Sequence, residues 1–218
     1  MLSLVTGTRN RPRQFARLVE SIQQYTPMPW ELVVSDASDY PLELDVPANV
    51  RILPERPRLG CTRGYNRAFC ESRGDWVLWL NDDVEVCEGY ATAAVNFMEA
   101  HPRIGLGALH YSEPENGKPF HVNSAWGCIY ANFGIISRDL GNQVGWFDEE
   151  IGMYGNDNSL TLRVLLAGYG VSDIPDAKVI HHPEQDAERR HNEDPAQRAH
   201  DNEVLQRKYM PRRAPWQA

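Results

Sequence analysis

The sequence predicts an α/β protein, with a mainly parallel, Rossmann-like sheet flanked by helices and a less regular second half. Three observations carry that reading. Through the first half, short apolar runs alternate with amphipathic stretches of helical length, as in consecutive βα units. Three of those runs end abruptly in polar residues, at Thr8 to Arg11, Asp36 and Asn81 to Asp83. Ligand-binding side chains collect at such strand ends in parallel sheets. Finally, 218 residues at 42% hydrophobic content support one sizeable core and are too few for two independent enzyme domains.

Leu2–Thr6 reads as the first strand. Pro12 opens a helix, where its missing N–H is no loss, and Phe15, Leu18, Val19 and Ile22 give it one apolar face. Trp30–Ser35 forms a second strand ending in Asp36, and Val50–Leu53 a third. A helix over Thr62–Ser72 turns Tyr65, Ala68 and Phe69 inward. Trp76–Leu80 is the most apolar strand, followed by a helix over Tyr90–Ala100 and a strand over Ile104–Leu109. In the second half, Ile129–Ser137 is apolar enough for a strand, and Gly145 to Asn158 is loop-like. Leu160–Ala167 is a helix stopped by Gly168, and Val171–Ile174 and Lys178–His181 are short strands. The expected division is a domain over residues 1–182, with halves 1–110 and 111–182, and a charged tail over 183–218. In that tail Val204, Leu205, Tyr209 and Met210 can pack a helix onto the body; a solvated tail is the alternative.

Composition narrows the function classes. The excess of 30 acidic over 22 basic residues gives a net charge of −8, which repels long nucleic acids. No apolar run approaches the roughly 20 residues that span a bilayer, and Met1 to Thr6 carries no secretory signal. Cys61, Cys70, Cys87 and Cys128 lack C-x-x-C spacing and read as reduced, buried thiols. The expected location is the cytoplasm.

Asn81-Asp82-Asp83 places two carboxylates at the end of a fully apolar strand. Adjacent carboxylates near a low-dielectric core need a cation or hydrogen-bond donors, and such oxygens suit Mg²⁺ or Mn²⁺; the plain alternative is a helix-capping loop. His181-His182 follows a short strand and can add an imidazole, which favours Mn²⁺ over Mg²⁺. Asp157, in Tyr154-Gly155-Asn156-Asp157-Asn158, reads either as a helix cap or as a general base facing the crevice.

Together these segments resemble the family 2 glycosyltransferases of the GT-A fold, from about Leu2 to His182. Val5-Thr6-Gly7-Thr8-Arg9-Asn10-Arg11-Pro12 is similar to the opening strand and P-T-Y-N-R-P turn. Val33-Val34-Ser35-Asp36-Ala37-Ser38-Asp39 is similar to V-V-D-D-G-S-x-D, and Leu59 through Ala68 to the helix with G-x-x-x-x-x-N-x-G/A. Trp79 through Val86 resembles the D-x-D region. Gly145 through Asp157, continuing to Leu166-Ala167-Gly168-Tyr169, resembles the G-x-F-D-E…E-D…A-G-Y block.

The resemblance implies a single GT-A domain that transfers a sugar from a UDP- or dTDP-linked donor to an acceptor hydroxyl with inversion. Donor contacts fall on Thr8, Arg9, Asp36, Arg63 and Asp82, with Asp36 accepting from the pyrimidine N–H. Metal ligation by Mn²⁺ or Mg²⁺ falls on Asp83 and His181, with His182 the alternative, and the base is Asp157. Trp126, Tyr130, Trp146 and Tyr154 are candidates for sugar-face stacking, with core packing the stronger alternative for each, and Asn156 is a further acceptor-side candidate. The acceptor itself is left open among saccharide, lipid-linked, protein and modified nucleic acid, and the tail is a candidate homodimer contact. Departures from the pattern are Asn81 for the first D-x-D acid, Asn156 for Glu and Ser159 for Asp. Two alternatives share the fold: a non-catalytic nucleotide- or sugar-binding module, and a sugar nucleotidyltransferase suggested by Gly7-Thr8-Arg9.

Overall fold

The computed structural model describes residues 1–42, 44–125, 127–183, 186 and 194–209. Four parallel strands form its first half: β1 (Leu2–Thr8), β2 (Trp30–Asp36), β3 (Val50–Pro54) and β4 (Trp76–Trp79). The sheet continues with β5 (Val84–Val86), β6 (Ile104–Glu113), β7 (Lys118–His121), β10 (Gly134–Ser137) and β11 (Gly170–His181), in the order β3-β2-β1-β4-β10-β6-β11-β5, with β7 on β6. Between β7 and β10, β8 (Asn123–Ala125) and β9 (Cys128–Tyr130) make a separate hairpin. The helices are α1 (Pro12–Tyr25), α2 (Cys61–Glu71), α3 (Tyr90–Ala100), α4 (Arg138–Val144), α5 (Asn156–Leu166) and α6 (Pro195–Tyr209).

Alternation along the strands divides the core into two layers. Leu2 and Leu4, Leu32 and Val34, and Leu78 and Leu80 face α1 and α3. Val5, Val33, Val77 and Trp79 face the opposite layer with Tyr65, Phe69, Leu160 and Val164. Side chains on a strand point to alternate faces, so runs apolar at every position are those buried on both sides. Each fully buried leucine or phenylalanine contributes about 1.5–3 kcal/mol.

Several expected elements differ in extent. The expected strand over Ile129–Ser137 is two strands, β9 and β10, separated by a turn at residues 131–133. The two expected strands at 171–174 and 178–181 are one strand, β11, with an irregularity between Ile174 and Lys178. β6 runs four residues past Leu109 to Glu113, and α5 begins at Asn156, four residues before Leu160. The cysteines are not buried: Cys61 and Cys70 are exposed, Cys87 and Cys128 half-buried, and all four are free.

The C-terminal helix α6 packs on the body through Val204 and Leu205, which meet Ile151 in a third apolar cluster. Lys208 and Tyr209 reach Asp148, and Arg207 reaches Glu150. Met210 lies outside the described residues.

Candidate active site

Sheet topology brings the polar strand ends together. The loop after β1 and the loop after β2 are joined by Asn10, whose backbone N–H donates to Ser38 Oγ at 2.9 Å and whose amide pairs twice with Asp39. Asn10 has φ +55°, a left-handed conformation that asparagine tolerates better than most residues. Asp36 is buried at the end of β2, and its Oδ1 accepts the N–H of Ser38 at 2.9 Å. Arg9 is half-buried at the end of β1.

Asp82 and Asp83 are 5% and 3% exposed. Thr8 Oγ1 donates to Asp82 at 2.8 Å, and Arg11 Nη1 lies 3.2 Å from Asp82 and 3.6 Å from Asp83. Arg11 also forms a two-point ion pair with Asp186, at 2.7 and 2.8 Å. Burial and the neighbouring Asp83 push Asp82 up to about 7, against the pull of Arg11 and Thr8. Burial alone would weaken the charge on Arg11, but the three carboxylates around it outweigh that and keep it protonated. Asn81, which replaces a carboxylate of the family pattern, takes a hydrogen bond at 3.2 Å from the hydroxyl of Tyr65.

Strand register delivers the imidazole. β11 runs antiparallel to β5 with His181 opposite Val84, next to Asp83, and parallel to β6 with Ile180 opposite Ser112, next to Glu113. His181 Nε2 therefore lies 3.3 Å from Asp83 Oδ1, while Nδ1 lies 3.2 Å from Glu113 Oε1. Burial alone would lower the His181 pKa, but the two carboxylates raise it. Burial would raise Glu113, yet contacts with Lys118, Asn116 and His181 bring it to about 2. His182 faces a different pair of acids, Glu85 and Glu115.

These donors fit a divalent cation held by two protein ligands. Two ligands on one octahedral ion, each about 2.1 Å from it, sit about 3 Å apart, close to the 3.3 Å between Asp83 and His181. Glu113 on the far nitrogen matches the carboxylate that commonly fixes the tautomer of a metal-binding histidine. Among the described residues no three His, Cys, Asp or Glu side chains group around one point, so remaining ligands would be water and substrate phosphates.

Asp157 is the second residue of α5, half-buried, with its carboxylate accepting the N–H of Asn158 at 2.9 Å. Burial raises its pKa to about 6, partly offset by backbone N–H groups. Burial, the largest cause, raises the pKa of the hydroxyls of Tyr111 and Tyr130. Tyr111 also stands 6.1 Å, ring to ring, from His181.

The remaining assigned residues have other partners. Arg63 is exposed and ion-paired with Glu149 at 3.2 Å. Asn156 is buried, its amide on Thr62 Oγ1 at 2.7 Å and on the Ile151 carbonyl, and it ties α5 to α2. Trp146 is likewise a core residue, stacked on Phe69 at 4.5 Å and 11° with its indole N–H on Asn142. Its ring fills the space a Cβ at Gly141 would take. Tyr154 is half-buried with the Arg198 guanidinium 4.4 Å over its ring, and Trp126 lies outside the described residues. Residues with no expected role include Arg11, Glu113 and Asn66, whose amide makes two hydrogen bonds with the backbone of Phe147. Trp146→Ala should lower unfolding free energy by about 3–5 kcal/mol in urea titration; a loss below about 1 kcal/mol, the scale of a surface change, would return Trp146 to the acceptor surface.

The model of glycosyl transferase family 2 matches residues 3–169. The N-acetylglucosaminyl-diphospho-decaprenol L-rhamnosyltransferase of Mycobacterium tuberculosis is 27% identical, the match covering 62% of this chain and 59% of that one. This chain thus spans about three fifths of that relative's length. Among solved structures, a mannosyltransferase from Pyrobaculum calidifontis in complex with GDP-Man and Mn²⁺ aligns with TM-score 0.68 at 16% identity, over 98% of this chain and 65% of that one. GalNAc-T7 with UDP, GalNAc and Mn²⁺ aligns with TM-score 0.71 at 14% identity, over 85% and 44%. The fold is that of GT-A enzymes, and the chain belongs to glycosyl transferase family 2.

Proposed function

We propose that the protein transfers a hexosyl group from a UDP- or dTDP-sugar to an acceptor hydroxyl with inversion at the anomeric carbon. The observation that carries this reading is the meeting of Asp82, Asp83 and His181 at the sheet edge that also holds Asp36. Asp36 accepts from the pyrimidine, with Thr8, Arg9 and Arg63 as further donor contacts. Asp82 lies toward the ribose. Asp83 and His181 hold Mn²⁺, or Mg²⁺ in its place; the imidazole favours Mn²⁺. Held there, such a cation would supply Lewis-acid neutralisation of the leaving nucleoside diphosphate. Asp157 removes the acceptor proton, and a pKa near 6 keeps it ionised at neutral pH while leaving it basic enough for the step. Tyr154 remains an acceptor-side candidate.

The mycobacterial relative is named for rhamnosyl transfer to a diphospho-decaprenol glycolipid, so a rhamnosyl donor and a lipid-linked acceptor are the first pair to assay. A cytoplasmic location is consistent with four free thiols. Among the described residues no helix is long and apolar enough to cross a membrane.

Two measurements test the reading. With Mn²⁺, UDP or dTDP near 100 times its Kd should raise the melting temperature by roughly 5–10 °C. The shift should vanish in Asp83→Ala; a shift of equal size without metal, or in Asp83→Ala, contradicts the site. The pH profile of kcat should fall on the acid side with a midpoint near pH 6, where Asp157 takes up a proton, and Asp157→Asn should abolish that limb along with most of kcat. An unchanged limb in Asp157→Asn would exclude it as the base.

A further inference from the structure

A buried carboxylate on the C-terminal helix collects four hydrogen bonds. Asp201 is fully buried. Its Oδ1 accepts the backbone N–H of Gly152 at 2.8 Å and the side-chain amide of Gln197 at 2.8 Å. Its Oδ2 accepts the N–H groups of Met153 at 3.0 Å and Tyr154 at 2.8 Å. Three consecutive backbone donors therefore converge on one side chain. A carboxylate is stable in such surroundings only with that many donors, and the donors in turn have their positions fixed.

The loop they belong to leads directly into the site. After Tyr154 the chain turns at Gly155, with φ +99°, and enters α5, where Asp157 is the second residue. On the other side, Thr62 of α2 donates to the carbonyl of Gly152 at 2.8 Å and accepts from Asn156 at 2.7 Å. Residues 152–156 are thus gripped between α2 and α6. The carboxylate of Asp157 bonds within its own turn, to the N–H of Asn158, so its placement follows the backbone that Asp201 holds. Val204, Leu205, Lys208 and Tyr209 dock the rest of α6 onto Ile151 and Asp148, next to this loop.

We propose that Asp201 is a positioning residue for the acceptor side of the reaction: it clamps Gly152–Tyr154 so that α5 starts with Asp157 aimed at the acceptor oxygen. The proposal rests on Asp157 being the base. It makes the C-terminal helix, beyond the 3–169 span matched by the family model, part of the catalytic architecture. Asp201 does not touch the reacting atoms.

The test is a double-mutant cycle on the whole chain, using Asp201→Asn, Asp157→Asn and the pair. Turnover is followed as nucleoside diphosphate release from whichever of UDP-glucose and dTDP-rhamnose the unmodified protein uses faster. All four proteins are assayed well below their melting temperatures. Asp201→Asn should lower kcat about 10- to 100-fold, the scale of an ångström-level misplacement, with the Kd for UDP or dTDP in Mn²⁺ unchanged within about twofold. In the Asp157→Asn background it should cost almost nothing more, because two residues acting through one step are not additive. Gln197→Ala, which removes one hydrogen bond to Asp201 and keeps the apolar contacts of α6, should show the same coupling at about 2- to 10-fold; it carries the test if Asp201→Asn does not fold. An equal loss from Asp201→Asn in both backgrounds, or full kcat in Asp201→Asn while Asp157→Asn is inactive, overturns the proposal. Full kcat in Asp157→Asn overturns the base assignment and the clamp with it.

Discussion

Two adjacent buried carboxylates, Asp82 and Asp83, are the constraint around which the donor half is arranged. Burial at the edge of an apolar core and the neighbouring Asp83 hold Asp82 up near 7 even with Arg11 and Thr8 against it. The surrounding structure supplies compensation from three directions. Thr8 and Arg11 come from the end of β1, His181 from the end of β11, and Asp186 fixes the outer side of Arg11. In the proposed function this edge would gain stability from an added cation.

Sheet register turns that electrostatic demand into geometry. β11 is the one strand that borders both β5 and β6, so a single register places His181 between Asp83 and Glu113. Because side chains alternate faces, a slip of one residue would send the imidazole to the opposite side of the sheet. The register shift between Ile174 and Lys178 lies upstream of Lys178 to Ile180, which pair with His110 to Ser112. The segment before α5 depends on a different device: Asn66 and Thr62 from α2, and Asp201 from α6, fasten an irregular stretch at residues 147–153.

Much of the donor half is legible in the sequence because a parallel strand ends where its apolar run ends. Thr8, Asp36 and Asp82 follow from that rule, and their convergence needs only the strand order. Glu113 was hidden because Leu109 looked like the end of the strand; four more residues, His110 to Glu113, continue β6 with mixed polarity. Asp201 was hidden because an acid in a charged helix carries no apolar period to mark it as buried. Nothing in the sequence separates an acceptor contact from a core residue at Trp146 or Asn156; aromatic stacking on Phe69 and the bond to Thr62 take both into the interior. The cysteines were read from residue type alone, and two of them lie exposed on α2.

The most direct test of the account is pulsed electron paramagnetic resonance of Mn²⁺ bound with UDP or dTDP. The account predicts nitrogen coupling from one imidazole in the wild type, lost in His181→Ala and retained in His182→Ala. Bound Mn²⁺ with no nitrogen coupling, or coupling that survives His181→Ala, would contradict the placement of the cation between Asp83 and His181.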